Sequence, residues 1–146
     1  MYYLIYQSSA LIPRNSSEHD AILIASYRCN KRDDITGFLH REQDNFVQYL
    51  EGPKDRIKDL MLRLERDWRH KDIDVLDEGT LTTRRLPDWQ MGMVEQGTFA
   101  ISDLLEIRDT KLAIKSADPF DLVVFMVANA GLLRQICEIE EKKAGS

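Results

Sequence analysis

The chain has 146 residues, of which 43% are hydrophobic and 31% charged, a composition that predicts one globular domain with a small extension. The net charge of −5 argues against nucleic acid as a partner, because broad nucleic-acid binding requires a basic face. A membrane partner is not expected either, because no apolar run approaches the roughly 18 residues of a spanning helix and the N-terminal MYYLIYQSS lacks the basic region of a signal peptide.

The first two predicted elements are a strand and a helix. Residues 2–8 are apolar and aromatic, which is typical of a strand. Period-two alternation places three of its residues on one face: Leu4, Tyr6 and Ser8. Ser17 with Asp20 three positions later resembles a capping box, so we expect a helix over residues 17–32. Helical spacing places four of its residues near one face: Ile22, Ser26, Cys29 and Asn30.

The next two strands form a predicted hairpin over residues 35–41 and 46–51, with a tight connection at Asp44 and Asn45. Alternation divides the second strand into two faces, with Phe46, Gln48 and Leu50 on one and Val47 and Tyr49 on the other. An unsatisfied buried amide costs on the order of 1–3 kcal/mol. Gln48, which lies between two apolar neighbours, therefore needs a hydrogen-bonding partner.

A second helix and two more strands complete the order of a ferredoxin-like domain. Pro53 suits the first turn of a helix that should end near residues 69–70. Its apolar stripe is Ile57, Leu60, Met61 and Leu64. Residues 73–81 and 86–94 are then predicted strands. The last of them would carry Trp89, Met91 and Met93 on one face. The order β-α-β-β-α-β, plus one strand, predicts an α+β ferredoxin-like sheet with two helices on one face.

The sequence changes character after about residue 97, so we assign 1–97 to this domain and 98–146 to a helical C-terminal extension. Residues 99–107 predict a short helix, and Asp118 with Pro119 predicts the start of a helix over 118–142. The apolar stripe of that helix is Phe120, Val123, Val124, Val127, Leu132 and Ile136. We expect the stripe to cover the sheet face opposite the other helices, because a bare sheet face would expose a large apolar area; the alternative is a partner surface.

The cysteines and histidines predict neither a disulfide nor a metal site. Cys29 and Cys137 are far apart and form no paired motif, which is typical of reduced thiols in a cytoplasmic protein. The three histidines, His19, His40 and His70, are scattered without metal-ligand spacing.

Polar side chains collect on these otherwise apolar elements: Tyr6, Asn30 and Gln48, with Arg63, Asp67 and Arg69 on or just after the second helix. If both helices cover one sheet face, the polar groups line the gap between them. A planar ligand with amide edges would satisfy Asn30 and Gln48, and an anionic tail would bind Arg63 and Arg69. Any one of these residues, taken alone, is more often structural.

Five stretches occur in order along the chain: IYQSS, CNKRDDITG, FVQYLEG, RDWRH and RRLPDWQMG. Their order and spacing over residues 2–94 resemble the BLUF family of flavin-binding blue-light sensors, and the remainder resembles the helical tail of short, stand-alone members. The resemblance implies FAD as cofactor, with FMN or riboflavin as alternatives. It also implies that output passes to a downstream protein partner or to a change of homo-oligomer.

The resemblance implies a role for each matching residue. Tyr6 would donate an electron and a proton to the photoexcited flavin, and Gln48 would bridge the Tyr6 hydroxyl and the flavin. Asn30 would bind the carbonyl and N3 edge. Ile22, Leu39 and Phe46 would pack against the flavin ring. The ribityl and phosphate part would contact Arg63, Asp67 and Arg69, and the remaining cofactor contacts would be Ser26 and His70. Ser8, Trp89 and Met91 would carry the signal.

Two residues depart from the family pattern. Cys29 stands where an amide or another polar side chain is common, and a thiol is a weak donor, so one flavin contact is expected to be missing. His40 stands where many members have an aromatic residue. After the light reaction Gln48 would adopt another hydrogen-bonded state, either rotated or tautomerised.

Two other functional classes compete with a photoreceptor. One is a small flavin-dependent oxidoreductase, but the sequence has no nucleophile–base pair and no nicotinamide fingerprint, so we do not expect an enzyme. The other is a cofactor-free ferredoxin-like interaction module. A colourless purified protein would favour that class.

Overall fold

The computed structural model describes residues 1–13, 16–86, 93–94, 114 and 116–128. The strands are β1 (Tyr2–Ala10), β2 (Thr36–Glu42), β3 (Asn45–Gly52), β4 (His70–Thr80) and β5 (Met93–Val94). The helices are α1 (Ser17–Arg32), α2 (Lys54–Glu65) and α3 (Pro119–Ala128). Within these described residues, no helix is long and apolar enough to span a membrane.

The strands form one five-stranded sheet in the order β4-β1-β3-β2-β5. The four longer strands pair antiparallel, and β5 pairs parallel to β2. In this register Tyr6 lies directly opposite Gln48, and Gln48 lies directly opposite Leu39. The predicted α+β ferredoxin-like fold is confirmed, and it places the switch candidate Gln48 on the central strand.

Each face of the sheet has its own hydrophobic core, as the alternation in β3 predicts. Phe46 and Leu50 belong to the core under α1 and α2, together with Ile57, Leu60 and Met61 of α2. Val47 and Tyr49 belong to the core on the opposite face. Gln48 therefore points towards the two helices.

The ends of several elements differ from their predicted positions. Ser16, not Ser17, is the N-cap of α1, and its side chain accepts a hydrogen bond from the backbone N–H of His19 at 3.2 Å. The hairpin turns at Gln43 and Asp44, one residue earlier than expected, and Gln43 adopts a positive φ of 53°.

The second helix ends at Glu65 rather than near residues 69–70. The Asp67 carboxylate accepts a hydrogen bond from the backbone N–H of Arg69 at 3.0 Å, and such local bonds compete with continuation of a helix. Asp67 and Arg69 thus lie in the turn before β4, which begins at His70 instead of Ile73.

The described residues of the C-terminal segment pack on the sheet face opposite α1 and α2, as expected. Leu122 and Val123 of α3, with Ile114, are buried in the core that contains Tyr49. Helix α3 starts where predicted, and the Asp118 carboxylate accepts a hydrogen bond from the N–H of Phe120 at 2.8 Å.

The predicted stripe of α3 is wrong in detail. Phe120 and Val124 are 64% and 51% exposed, whereas Leu122, which the stripe omitted, is buried. The side chain of Val127, the residues Leu132 and Ile136, and the expected helix at 99–107 lie outside the described residues.

Candidate functional site

A pocket opens between α1, α2 and the sheet. Its empty space, including the open solvent at its mouth, is about 730 Å³, and concave sites lined by apolar side chains with a few polar groups are where small molecules and cofactors bind. Its walls include every predicted cofactor contact: Tyr6, Ile22, Ser26, Asn30, Leu39, Phe46, Gln48, Arg63, Asp67, Arg69 and His70. Ala25, Cys29, Leu60 and Leu64 complete the lining.

The floor of the pocket carries a buried hydrogen bond between two strands. The Tyr6 hydroxyl donates to the side-chain oxygen of Gln48, and the two residues are 2% and 3% exposed. Burial, and then the negative charge of Asp67, raise the pKa of Tyr6, so its hydroxyl keeps its proton at neutral pH. Tyr6 is thus the partner that the buried amide of Gln48 required.

Asn30 supplies an acceptor to the wall formed by α1. Its side chain is 1% exposed, and its amide oxygen has no hydrogen-bond partner among the described residues. Buried polar atoms are rarely left unpaired. An N–H donor on a bound molecule would satisfy this oxygen, and the amide edge of a flavin carries one.

Arg63 belongs to an arginine cluster at the rim of the pocket. The Asp33 carboxylate, 6% exposed, pairs with Arg32, Arg56 and Arg63 at 3.0, 3.4 and 3.3 Å. The hydrogen bond from Arg32 is the main reason that the pKa of Asp33 lies below its ordinary value. Three guanidinium groups around one carboxylate leave excess positive charge beside the pocket.

The other predicted arginine is paired with a neighbour in the turn after α2. The Arg69 guanidinium donates to the Asp67 carboxylate at distances down to 2.6 Å. Burial acts to raise the pKa of Asp67, but the hydrogen bonds from Arg69 outweigh it and the pKa lies below its ordinary value. Arg69 therefore reaches the pocket as part of an ion pair.

Ser8 does not line the pocket but contacts a residue that does. His70 Nδ1 lies 2.8 Å from the Ser8 hydroxyl, and Nε2 lies 2.8 Å from the carbonyl oxygen of Leu64. Because a carbonyl only accepts, Nε2 carries a proton and donates to the Leu64 carbonyl, and Nδ1 is hydrogen-bonded to the Ser8 hydroxyl. The other two signalling candidates, Trp89 and Met91, lie outside the described residues.

Sequence reasoning missed Ala25, Leu60, Leu64 and the rim carboxylate of Asp33. Ala25 lies one turn after Ile22 on the predicted face of α1, and Leu60 and Leu64 belong to the apolar stripe of α2, so helical spacing could have indicated all three. Asp33 gave no such signal, because its arginine partners come from two different helices.

Comparison with known proteins identifies the family. The family model described as "BLUF: Sensors of blue-light using FAD" matches residues 1–92. The chain is similar to photoactivated adenylate cyclase subunit beta of Euglena gracilis, with 37% identity over 89 residues, which cover 60% of this chain and 10% of that protein. The chain thus spans about a tenth of the length of this relative.

Two solved structures share the fold over most of the chain. One is BlrB, a BLUF protein in its dark state, with 28% identity, a TM-score of 0.65, and coverage of 94% of this chain and 95% of that chain. The other is a bacterial light-regulated adenylyl cyclase, with 26% identity, a TM-score of 0.67, and coverage of 88% of this chain and 40% of that chain. Since the family match includes the Tyr6–Gln48 pair and the pocket above it, the chain belongs to the BLUF family of flavin-binding blue-light sensors.

Proposed function

We propose that Tyr6 and Gln48 form the photochemical pair of this sensor and that the pocket between α1 and α2 holds the flavin. The observation that carries the proposal is the buried Tyr6–Gln48 hydrogen bond at the floor of that pocket. Asn30 supports the proposal, because its buried amide oxygen has no hydrogen-bond donor among the described residues. The amide edge of a flavin carries an N–H group that would supply one. Ile22, Leu39 and Phe46 would pack against the ring.

A bound flavin that has absorbed blue light would be an oxidant strong enough to take an electron from a phenol, whereas a flavin in its ground state would not. Tyr6 would supply the electron to that oxidant, and its hydroxyl proton would travel through the side chain of Gln48 to the same acceptor. After the electron and proton return, Gln48 remains in a second hydrogen-bonded state, rotated or tautomerised. Each hydrogen bond is worth on the order of 1 kcal/mol net, so this is a small local switch that biases a larger two-state element.

The rim cluster supports a flavin nucleotide, and we propose FAD. Arg63 lines the pocket, and its cluster with Asp33 carries more guanidinium than carboxylate charge. We expect Arg63→Ala to weaken the binding of FAD and FMN while leaving riboflavin unchanged, as measured by quenching of flavin fluorescence. Arg28→Ala is the matched control, because Arg28 is exposed on α1 and does not line the pocket. Equal losses for all three flavins would contradict this role.

We further propose that residues 1–97 sense light and that residues 98–146 pass the change to a protein partner. Packing of α3 on the sheet face behind β3 supports this division, as does the similarity to photoactivated adenylate cyclase subunits. In this scheme the chain senses and does not turn over a substrate. We also propose a cytoplasmic location, on the ground that the two cysteines of the sequence form no paired motif.

The experiment that tests the photochemical proposal is an absorption spectrum of the purified protein before and after blue light. We expect a flavin spectrum that shifts slightly to the red and recovers in the dark. A flavin spectrum without a shift would refute the proposed pair. A colourless protein that cannot be reconstituted with FAD would instead indicate a cofactor-free interaction module.

A further inference from the structure

A buried carboxylate that the photochemistry does not use lies on the far face of β3. Glu51 is fully buried, and its side chain accepts three hydrogen bonds. They come from the Tyr49 hydroxyl at 2.8 Å and from the backbone N–H groups of Arg85 and Leu86 at 3.1 and 2.5 Å. A buried carboxylate that loses its partners is strongly destabilising. These bonds therefore hold the segment that follows β4 against β3.

A second set of contacts fixes the same segment. The Arg84 guanidinium donates to the Thr36 hydroxyl at 2.9 Å and to the backbone oxygen of Glu51 at 3.2 Å. The Arg85 guanidinium lies over the ring of Tyr49 at 6.0 Å. The segment is thus attached to both β2 and β3.

Leu86 connects this attachment to the C-terminal helix. Its side chain is 4% exposed and belongs to the hydrophobic core that also contains Tyr49, Leu122 and Val123. The N–H of Leu86 is therefore bound by Glu51, and its side chain packs in the core that α3 completes. Burial and the hydrogen bond to Glu51 raise the pKa of Tyr49, so its hydroxyl remains a donor at neutral pH.

We propose that Tyr49, Glu51 and Leu86 form a latch that couples the state of Gln48 to α3. Tyr49 follows Gln48 directly in β3 and points to the opposite face. A changed hydrogen-bonded state of Gln48 alters the strand on which the latch is built. Energetic coupling between distant sites is carried by packed and hydrogen-bonded groups with two arrangements, and the latch supplies such a connected set. The inference rests on the proposed photochemical function.

Two substitutions remove parts of the latch while conserving shape. Tyr49→Phe deletes one hydroxyl and keeps the buried ring, and Glu51→Gln replaces one acceptor atom with a donor that faces N–H and O–H groups. Tyr3→Phe is the matched control. Tyr3 lies on the same sheet face and stacks on Tyr49, but its hydroxyl donates to Asp77 of β4 at 2.9 Å rather than to Glu51.

The readout pairs the red shift of the flavin with amide hydrogen exchange over residues 116–128, each measured in the dark and under blue light. We expect all three variants to keep the wild-type red shift. The light-minus-dark difference in exchange should be lost in Glu51→Gln, reduced in Tyr49→Phe and unchanged in Tyr3→Phe. A purely structural role would change dark exchange while leaving the light-induced difference in place.

Several outcomes would overturn the latch. The first is that the light-minus-dark difference in amide exchange stays at its wild-type size in Tyr49→Phe and in any Glu51→Gln protein that folds. The second is that Tyr49→Phe loses the red shift. If Glu51→Gln does not fold, Tyr49→Phe alone decides. A wild-type protein that shifts but shows no exchange difference over residues 116–128 would also exclude the latch. A flavin-loaded wild type without any red shift would refute the proposed function instead.

Discussion

Tyr6 and Gln48 face each other across the β1–β3 pair, and the Tyr6 hydroxyl donates to the amide oxygen of Gln48 at the floor of a pocket. Both side chains are almost completely buried. The hydrogen bond gives the amide oxygen of Gln48 a donor in an otherwise apolar environment, where polar groups are rarely left unpaired. It also places an oxidisable phenol beside an amide through which the proton of that phenol could pass.

Tyr6→Phe should retain flavin and lose the red shift. The substitution removes the hydroxyl that would donate the proton and leaves the ring in the core under α1 and α2. The measurement is the difference spectrum after blue light, with bound flavin quantified in the same sample. Tyr3→Phe, on the same strand but the opposite face, should shift like the wild type. A normal shift in Tyr6→Phe would exclude it as the donor.

Gln48→Leu should also be photochemically silent, and it should lower stability. The variant leaves the buried Tyr6 hydroxyl without its acceptor, which costs on the order of 1–3 kcal/mol. The free energy of unfolding from urea titration would measure the loss.

The double variant Tyr6→Phe/Gln48→Leu provides the control for this stability effect. Removing both partners of a buried hydrogen bond leaves no group unsatisfied, so the double variant should be more stable than the sum of the two single losses predicts. Strictly additive losses would show that the bond between Tyr6 and Gln48 does not contribute.

Asn30→Ala should weaken flavin binding by about tenfold, the equivalent of one lost hydrogen bond of roughly 1.4 kcal/mol. The physical reason is the buried amide oxygen, which lacks a partner among the described residues and faces the pocket. Dissociation constants from fluorescence quenching would test it. Asn45→Ala changes an amide outside the pocket lining and serves as control; equal affinities of the two variants would contradict the assignment.

Asp33 should make stability depend on pH in acid. Its folded-state pKa is lowered, first by the hydrogen bond from Arg32. A lowered pKa means that the stabilisation is complete above the unfolded-state value, near 3.8, and is lost as pH falls through the folded-state value. Asp33→Asn should therefore have a lower melting temperature than the wild type at pH 6, and the difference should shrink towards pH 3. A difference that is constant over this range would contradict the ion-pair explanation.

The sequence predicted which residues line the pocket better than it predicted where the helices and strands begin and end. The faces of β3 and α1 follow from local periodicity, so the pattern of residues is enough to direct Gln48 and Asn30 towards one site. Trp89 and Met91 were expected on the last strand and lie outside the described residues. The end of α2 was misplaced because the Asp67 carboxylate binds a backbone N–H of its own turn, which the apolar stripe does not reveal.

The sequence was sufficient to show which side chains share a face, because the period of a strand or helix is a property of the chain. The partners that those faces meet depend on tertiary packing. The Asp33 cluster draws arginines from two helices, and Glu51 binds N–H groups more than thirty positions away in sequence. In α3 nearly every residue is apolar, so several faces could have been buried. Packing against the sheet selected Leu122 and Val123 and left Phe120 exposed.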